Sequence, residues 1–437
     1  MIRFLAIAAL SLFSAIPARA AVDIQEVTSP GGITAWLVEE PSIPFVALEI
    51  RFRGGTALDA PGKRGAINMM TALLEEGAGE LDSRAFAAAR DDLAAQFSFD
   101  VYGDALSVSA RMLTENRDQA VQLLKIALTE PRFDQDAIER IRAQVLSIIG
   151  SDATDPGAIA ARTFSEMAFG DHPYGSSGDG TLESVAALTR DDLVKAKARV
   201  MARDRLFVSA VGDISAEELG ALLDELLSDL PATGAPNLPQ AEFRLGGGVT
   251  VVPFDTPQSA VRFGHEGIGR DDPDFFAAYV VNEIFGGYGF NSRLMEEVRS
   301  KRGLTYGIGA YLVDSDYANQ LAGSFSTVNG SVAEAVEVVR AEWARIAEDG
   351  VTAEELDEAK TYLTGAYPLR FDGNGRIAEI LVGMQLNGDP ITYVQTRNDK
   401  IRAVTLEQAN RVAARIYDPE ALHFVVVGQP EGLETSN

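Results

Sequence analysis

The sequence contains no cysteine and only three histidines in 437 residues. Without cysteine the chain forms neither disulfide bonds nor thiolate metal ligands, so its fold depends on the burial of apolar side chains. The three histidines, His172, His265 and His423, lie far apart, and none is followed by a histidine or glutamate three or four residues later. The sequence therefore contains no local histidine motif for a metal ion.

Long apolar runs are scarce, and the first one is short. It extends from Phe4 to Ile16, follows a basic start at Arg3, and precedes the small-x-small sequence Ala18-Arg19-Ala20. A membrane-spanning helix needs about 20 apolar residues, whereas this arrangement is typical of a secretory signal peptide. No later run is long and apolar enough to cross a membrane. We therefore expect residues 1–20 to be removed and the mature protein to be periplasmic.

Basic residues are outnumbered by acidic ones, 38 to 64, and the formal net charge is −26. Such a surface repels the phosphates of nucleic acids and disfavours anionic lipid headgroups. It keeps a protein soluble and tolerates cationic peptides, although a solvated acidic surface is the ordinary reason for this balance. We expect no nucleic-acid partner and no membrane span.

The chain is too long for one compact core and divides at a proline-rich segment. Residues 231–240 contain three prolines and no hydrophobic period, which is typical of a linker. We therefore predict an N-terminal half over residues 21–230 and a C-terminal half over residues 241–437.

The two halves repeat one order of predicted elements. In the first half, hydrophobic periodicity predicts strands over residues 45–52, 96–101, 105–112 and 206–213 and helices over residues 65–76, 83–95, 115–128 and 134–149. In the second half, it predicts strands over residues 259–264, 306–313, 320–326 and 422–428 and helices over residues 273–285, 292–301, 331–348 and 353–363. The sequence predicts an α+β fold of two tandem homologous halves, each an antiparallel sheet packed with helices.

Three segments, residues 61–74, 169–184 and 286–306, carry a resemblance that covers nearly all of the mature chain. Together they resemble the pitrilysin/insulinase/mitochondrial-processing-peptidase family of zinc metallopeptidases, the inverzincins. The resemblance implies two clamshell-like halves, with the zinc-binding helix in the first half and a long signature segment in the second.

The first of these segments departs from the family pattern at every catalytic position. Active members carry H-x-x-E-H on a helix, with two histidines holding zinc and the glutamate activating a water molecule. The matching positions here are Asn68, Thr71 and Ala72, and the position of the later glutamate ligand matches best with Ile148. Amide and hydroxyl groups bind zinc weakly, and no general base is present. The resemblance therefore implies a chain that binds no metal and is inactive alone.

The third segment, unlike the first, keeps the functional residues of the family pattern, an arginine and a tyrosine seven residues apart. By resemblance, Arg299 would donate to the backbone of a substrate peptide, and Tyr306 would donate to the oxyanion formed at the scissile carbonyl. A surface arginine and a strand tyrosine with a packed ring are the structural alternatives. Arg293 and Arg302 compete with Arg299 on the same helix, which we expect Gly303 to end.

A glycine-rich loop precedes this helix. Gly286, Gly287 and Gly289 allow a backbone to approach a peptide closely, and they are equally typical of a helix end and turn.

A lost zinc motif and a retained Arg/Tyr pair together indicate half of an active site. We expect a non-catalytic, substrate-binding subunit of an exported heterodimeric zinc metalloendopeptidase. A partner chain of the same family would hold the zinc, in a heterodimer or a dimer of heterodimers, and the substrate would be a peptide or an unfolded protein. The alternative is a peptide-binding or scaffold protein that acts without a catalytic partner.

Overall fold

The computed structural model describes residues 23–287, 289 and 291–436. The predicted signal peptide, residues 1–20, lies outside the described residues. Among the residues that are described, no helix has both the length and the apolar character to span a membrane.

The first half contains strands and helices in a mixed order. Its strands are β1 (Gln25–Thr28), β2 (Thr34–Glu39), β3 (Phe45–Arg53), β4 (Gly77–Ala78), β5 (Leu81–Asp82), β6 (Gln96–Val101), β7 (Ala105–Leu113) and β8 (Leu206–Gly212). Its helices are α1 (Ala66–Ala72), α2 (Ser83–Asp92), α3 (Arg117–Thr129), α4 (Gln135–Asp152), α5 (Pro156–Phe169), α6 (Leu182–Ala186), α7 (Arg190–Val200) and α8 (Ala216–Leu227). Residues 231–247 then form neither helix nor strand.

The second half follows the same plan. Its strands are β9 (Gly248–Pro253), β10 (Gln258–Glu266), β11 (Ile308–Asp314), β12 (Asn319–Val328) and β13 (His423–Gly428). Its helices are α9 (Phe275–Gly286), α10 (Val332–Asp349), α11 (Ala353–Ala366), α12 (Asn374–Leu386), α13 (Tyr393–Ala403) and α14 (Leu406–Ile416). A π-helical turn occupies Met295–Ser300.

Each half has one large sheet, and the two sheets have matching topologies. The strand order is β1-β2-β8-β3-β7-β6 in the first and β11-β12-β10-β13-β9 in the second. In both sheets a central strand, β3 or β10, pairs antiparallel with both of its neighbours. Each sheet also contains one parallel pair, β2 with β8 and β9 with β13. The predicted α+β fold with two repeated halves is confirmed.

The halves exchange one helix each. Helix α5 of the first half packs against β10 and β13, and helix α12 of the second half packs against β3 and β8. Each sheet is thus covered on one face by its own helices and on the other by a helix from the opposite half. The Ser209 hydroxyl donates to the carbonyl of Ala378 at 2.6 Å, and the Gln385 side-chain amide donates to the carbonyl of Val208 at 2.7 Å. The exchange holds the two halves together as one folded unit.

Among the element boundaries that differ from the predictions, three bear on the segments that carry the resemblance. Helix α1 ends at Ala72 instead of residue 76, because the chain turns there towards the short strand β4. The predicted helix over residues 292–301 is mainly a π-helical turn, in which the N–H of Lys301 donates to the carbonyl of Glu296 at 2.9 Å. The strand expected from residue 306 begins at Ile308. As predicted, the turn closes at Gly303, whose φ is +64°.

A half-buried polar cluster joins the two halves. The Tyr174 hydroxyl donates to Asp104 at 2.6 Å, and the N–H of Tyr317 donates to that hydroxyl at 3.1 Å. Arg53 pairs with Asp316 at 2.6 Å. Burial raises the pKa of Asp316 to about 6, against the attraction of Arg53, and the neighbouring carboxylate of Asp104 adds to the rise.

This raised pKa predicts that stability falls as pH rises. Between about pH 4 and 6, Asp316 holds a proton in the folded state, whereas in the unfolded chain, where its pKa is an ordinary 3.8, it has released that proton. The protonated Asp316 therefore contributes fully to the free energy of unfolding below about pH 4, and this contribution is lost as the pH rises through 6. After allowing for partial solvent screening, we expect a loss of about 1–2 kcal/mol.

Urea unfolding at several pH values measures this term. Asp316→Asn should flatten the fall in unfolding free energy between pH 4 and 7, whereas Asp399→Asn, on the exposed face of α13, should leave it unchanged. Equal slopes in all three proteins would show that Asp316 does not titrate in this range.

Candidate functional site

Helix α1 has one side that is not buried. Asn68 is partly exposed and Ala72 is exposed, whereas the other five residues of the helix are buried. Positions four apart lie on one face of an α-helix. The open side of α1 is therefore the side from which the two histidines of an H-x-x-E-H motif would hold zinc.

The groups at these positions are already engaged or apolar. The Asn68 amide donates to Asp179 at 2.9 Å, and the buried Thr71 hydroxyl donates to the carbonyl of Ile67 at 2.8 Å. Ile148, on α4, is 51% exposed and offers only an alkyl side chain. The residues present do not fit a zinc ion. No group of three His, Asp or Glu residues that could hold a metal ion occurs within the described ranges.

The three histidines take part in separate local contacts. His265 lies in the second core, where the indole N–H of Trp343 donates to its Nε2 at 3.1 Å. His423, the first residue of β13, is hydrogen-bonded through both ring nitrogens, to the Thr250 hydroxyl and to the carbonyl of Gly246. His172 Nδ1 accepts from the N–H of Tyr174 at 3.2 Å. Burial lowers the pKa of all three histidines. These contacts give each of the three histidines a structural role.

The second-half residues predicted to contact a substrate line one cavity. It has a volume of about 1030 Å³ and lies between the end of α9, the π-helical turn and strand β11. Its wall includes Arg299, Tyr306, Gly286, Gly287 and Gly289. None of the four first-half positions of the degenerate zinc motif belongs to this wall. We call this space the main cavity.

The structure distinguishes Arg299 from the two competing arginines. Arg293 forms a bidentate pair with Glu355 at 2.6 and 2.7 Å. Arg302 pairs with Glu297 at 2.6 Å. The first contact joins the segment before the π-helical turn to α11, and the second lies within the turn and its end. Neither arginine lines the main cavity. Of the three, only Arg299 reaches that space.

Tyr306 is 90% exposed and precedes the first residue of β11. The alternative of a strand tyrosine with a packed ring is therefore wrong. Its hydroxyl forms no hydrogen bond with any residue in the described part of the chain. The phenol is accessible to a bound peptide or to another protein chain.

The glycines of the loop have different roles. A Cβ atom on Gly286 would lie 2.5 Å from the backbone nitrogen of Ala310, so this glycine allows α9 to end against β11. The N–H of Gly287 donates to the carbonyl of Glu283 at 3.2 Å and caps α9. Gly289 has a φ of +119°, and among the described residues no atom lies within 4 Å of the position that a Cβ would take. Gly286 and Gly287 thus fit the helix-end alternative, and Gly289 presents bare backbone to the cavity.

Several residues of the main cavity carry no recognisable motif. Arg270, Tyr279, Glu283 and Asp314 also line it, and the N–H of Arg270 donates to Asp314 at 3.1 Å. Burial raises the pKa of Glu283. The available sequence signal is the polar pair Asn282-Glu283 near the end of an otherwise apolar helix, where polar side chains need partners.

Comparisons with known proteins agree with the fold, and one relative is named as a non-peptidase. A family model described as the peptidase M16 inactive domain matches residues 187–363. A Helicobacter pylori protein named as the non-peptidase homolog YmxG is 28% identical over 390 residues, which cover 89% of this chain and 90% of that protein. An uncharacterized zinc protease of Mycobacterium leprae is 26% identical over 393 residues, covering 89% and 88%.

A solved structure agrees over almost the whole chain. The peptidase M16 inactive domain from Pseudomonas fluorescens superposes with a TM-score of 0.88 at 27% identity, covering 94% of this chain and 100% of that one. The fold and the matches define a zinc-peptidase-like protein without a complete catalytic centre. These matches support the pitrilysin-type family predicted from the sequence, the M16 peptidases, and a non-catalytic member of it.

Proposed function

We propose that this chain is the substrate-binding subunit of an exported heterodimeric zinc metalloendopeptidase. One observation carries the proposal: Arg299, Tyr306 and Gly289 share the main cavity, while the helix that would hold zinc has no ligands. The predicted signal peptide at residues 1–20 supports export. The name of the Helicobacter pylori relative, a non-peptidase homolog, supports the absence of self-sufficient catalysis.

The side chains of the main cavity are suited to binding and polarising a peptide. Arg299 donates to a peptide carbonyl, and Tyr306 donates to the oxygen that becomes negative during attack. Zinc in the partner chain supplies the activated water. A preorganised donor of this kind contributes about 3 kcal/mol in acyl-transfer reactions. The main cavity, at about 1030 Å³, is at the upper end of the roughly 300–1,000 Å³ usual for ligand pockets.

Reconstitution tests the proposal. The mature chain, a family member from the same cells that carries H-x-x-E-H, and their mixture are each assayed for cleavage of a fluorogenic peptide. We expect this chain alone to be inactive and the mixture to exceed the partner alone, with saturation at equimolar chains. A zinc chelator should abolish the activity of the mixture.

The other outcomes separate the alternatives. Peptide binding by the lone chain without stimulation of any peptidase would support the scaffold function instead. Chelator-sensitive cleavage by the lone chain would contradict the assignment of Asn68, Thr71, Ala72 and Ile148 as an emptied zinc site.

A further inference from the structure

A second, smaller cavity adjoins the main cavity. It has a volume of about 340 Å³ and lies between α9, α12, α13 and the connection from α11 to α12. Arg270, Phe275, Tyr279 and Asn387 line both spaces, so the two cavities share a wall. We call this space the side pocket.

The side pocket carries an excess of positive charge. Four arginines and two carboxylates line it: Arg270, Arg370, Arg376 and Arg397, with Glu379 and Asp389. The net formal charge of the lining is therefore +2, in a chain whose formal net charge is −26. A local reversal of charge beside a candidate peptide site points to an anionic ligand.

Arg270 is only partly neutralised. Arg270 pairs with Asp389 through one nitrogen at 2.6 Å, and its buried Nε has no acceptor among the described residues. Its guanidinium lies 5.2 Å from the ring centres of both Phe275 and Tyr393. These rings fix its position while leaving its charge incompletely balanced.

The other three arginines differ in burial and in partners. Arg397 is 6% exposed, donates to the carbonyl of Leu363 at 3.2 Å, and lies 4.3 Å from the ring centre of Tyr367. Within the described ranges it has no carboxylate partner. Arg370 is exposed and likewise forms no ion pair with a described residue. Arg376, in contrast, pairs with Glu379.

We propose that the side pocket is a subsite for a carboxylate group of a peptide that occupies the main cavity. Guanidinium groups bind carboxylates through paired N–H donors, and surrounding aromatic rings strengthen the contact by excluding water. Either an acidic side chain or a C-terminal carboxylate supplies this chemistry. The proposal rests on the proposed function only in taking a peptide as the ligand.

The negative net charge of the chain would by itself disfavour a peptide that bears a carboxylate, so a measured preference for such a peptide would indicate a specific subsite. An acidic surface repels an anionic peptide, but screening confines this effect to about 8 Å at physiological ionic strength. A peptide already in the main cavity lies within reach of the side pocket. A preference for carboxylate-bearing peptides would therefore oppose the charge of the chain as a whole.

Fluorescence anisotropy with the mature full chain tests this. Three peptides of equal length, labelled with an uncharged BODIPY dye, differ in one feature: one has a single internal glutamate and an amidated end, one has no charged side chain and a free C-terminus, and one is neutral and amidated. We expect at least one carboxylate to lower Kd about 10-fold relative to the neutral amidated peptide. The peptide that shows the gain identifies the source of the carboxylate.

Variants locate the effect. Arg270→Gln should remove most of the gain, and Arg370→Gln, at an exposed position, should reduce it about 3-fold. Arg402→Gln, on α13 but outside the pocket, should keep it. Thermal unfolding of each variant verifies that it is folded.

Three results would overturn the proposal: equal affinity for all three peptides, a gain that persists in the Arg270→Gln/Arg370→Gln double variant, or no binding of any peptide. The proposed function is tested separately. A neutral peptide whose cleavage still requires the partner and Tyr306 would leave that function intact when the carboxylate preference fails.

Discussion

Replacing Tyr306 with phenylalanine should lower kcat of the reconstituted peptidase about 100-fold and change KM little. The phenol is 90% exposed and its hydroxyl has no hydrogen-bonding partner in the described part of the chain, so the substitution costs the fold little. The hydroxyl acts only when the carbonyl oxygen becomes negative, so its loss affects the transition state more than the bound substrate. Steady-state kinetics of the mixture measure both constants.

Matched variants control for exposure and residue type. Tyr362, on α11, is 54% exposed and lies outside the main cavity, so Tyr362→Phe should retain full activity. Arg299→Ala should raise KM as well as lower kcat, because a contact to the peptide backbone is made before the reaction begins. Native kinetics in Tyr306→Phe, with native assembly, would remove Tyr306 from the site.

Rebuilding the zinc site should create a metal-binding chain. The triple variant Asn68→His/Ala72→His/Ile148→Glu restores three protein ligands at the matching positions, and we expect it to hold about one zinc ion per chain. The two introduced histidines would lie on the open side of α1. Asp179, which accepts from Asn68, would orient the first imidazole, as carboxylates beside zinc ligands do.

A pair of histidines placed elsewhere controls for nonspecific binding. Asp191 and Lys195 are an exposed i, i+4 pair on α7. Asp191→His/Lys195→His therefore offers two imidazoles without a third ligand. We expect the triple variant to bind zinc at least about 100-fold more tightly, because its glutamate adds a third, negatively charged ligand to the two imidazoles. Equal affinities, by titration against a chromophoric chelator, would show that these positions do not converge.

The elements that follow local periodicity were predictable, and those that depend on partners far along the chain were not. Strand β6 matches its predicted bounds, because alternating side chains define it locally. Helices α5 and α12 were not predicted. Helix α5 is rich in alanine and small residues and has its contact face on the opposite sheet, a pairing that no local pattern encodes.

The residues of the site also divide into those that the sequence predicted and those that only the structure brought together. Arg299, Tyr306 and the glycine loop lie within one continuous segment, so a motif located them and the structure brought them to one cavity. The side pocket gathers Arg270 from the connection before α9 and Arg397 from α13, more than a hundred residues later. Neither arginine has a distinctive local context, and only the folded chain places them together.

Cross-linking from the substrate tests the central claim most directly. A peptide with a benzophenone beside the scissile bond is bound to the complex of this chain with a zinc-depleted partner, irradiated, and the attachment sites are mapped by mass spectrometry. The account predicts attachment to this chain within residues 299–311, because Arg299, Tyr306 and residues of strand β11 line the cavity in which we propose that the substrate binds. Attachment confined to the partner, or to surfaces of this chain outside the main cavity, would contradict the account.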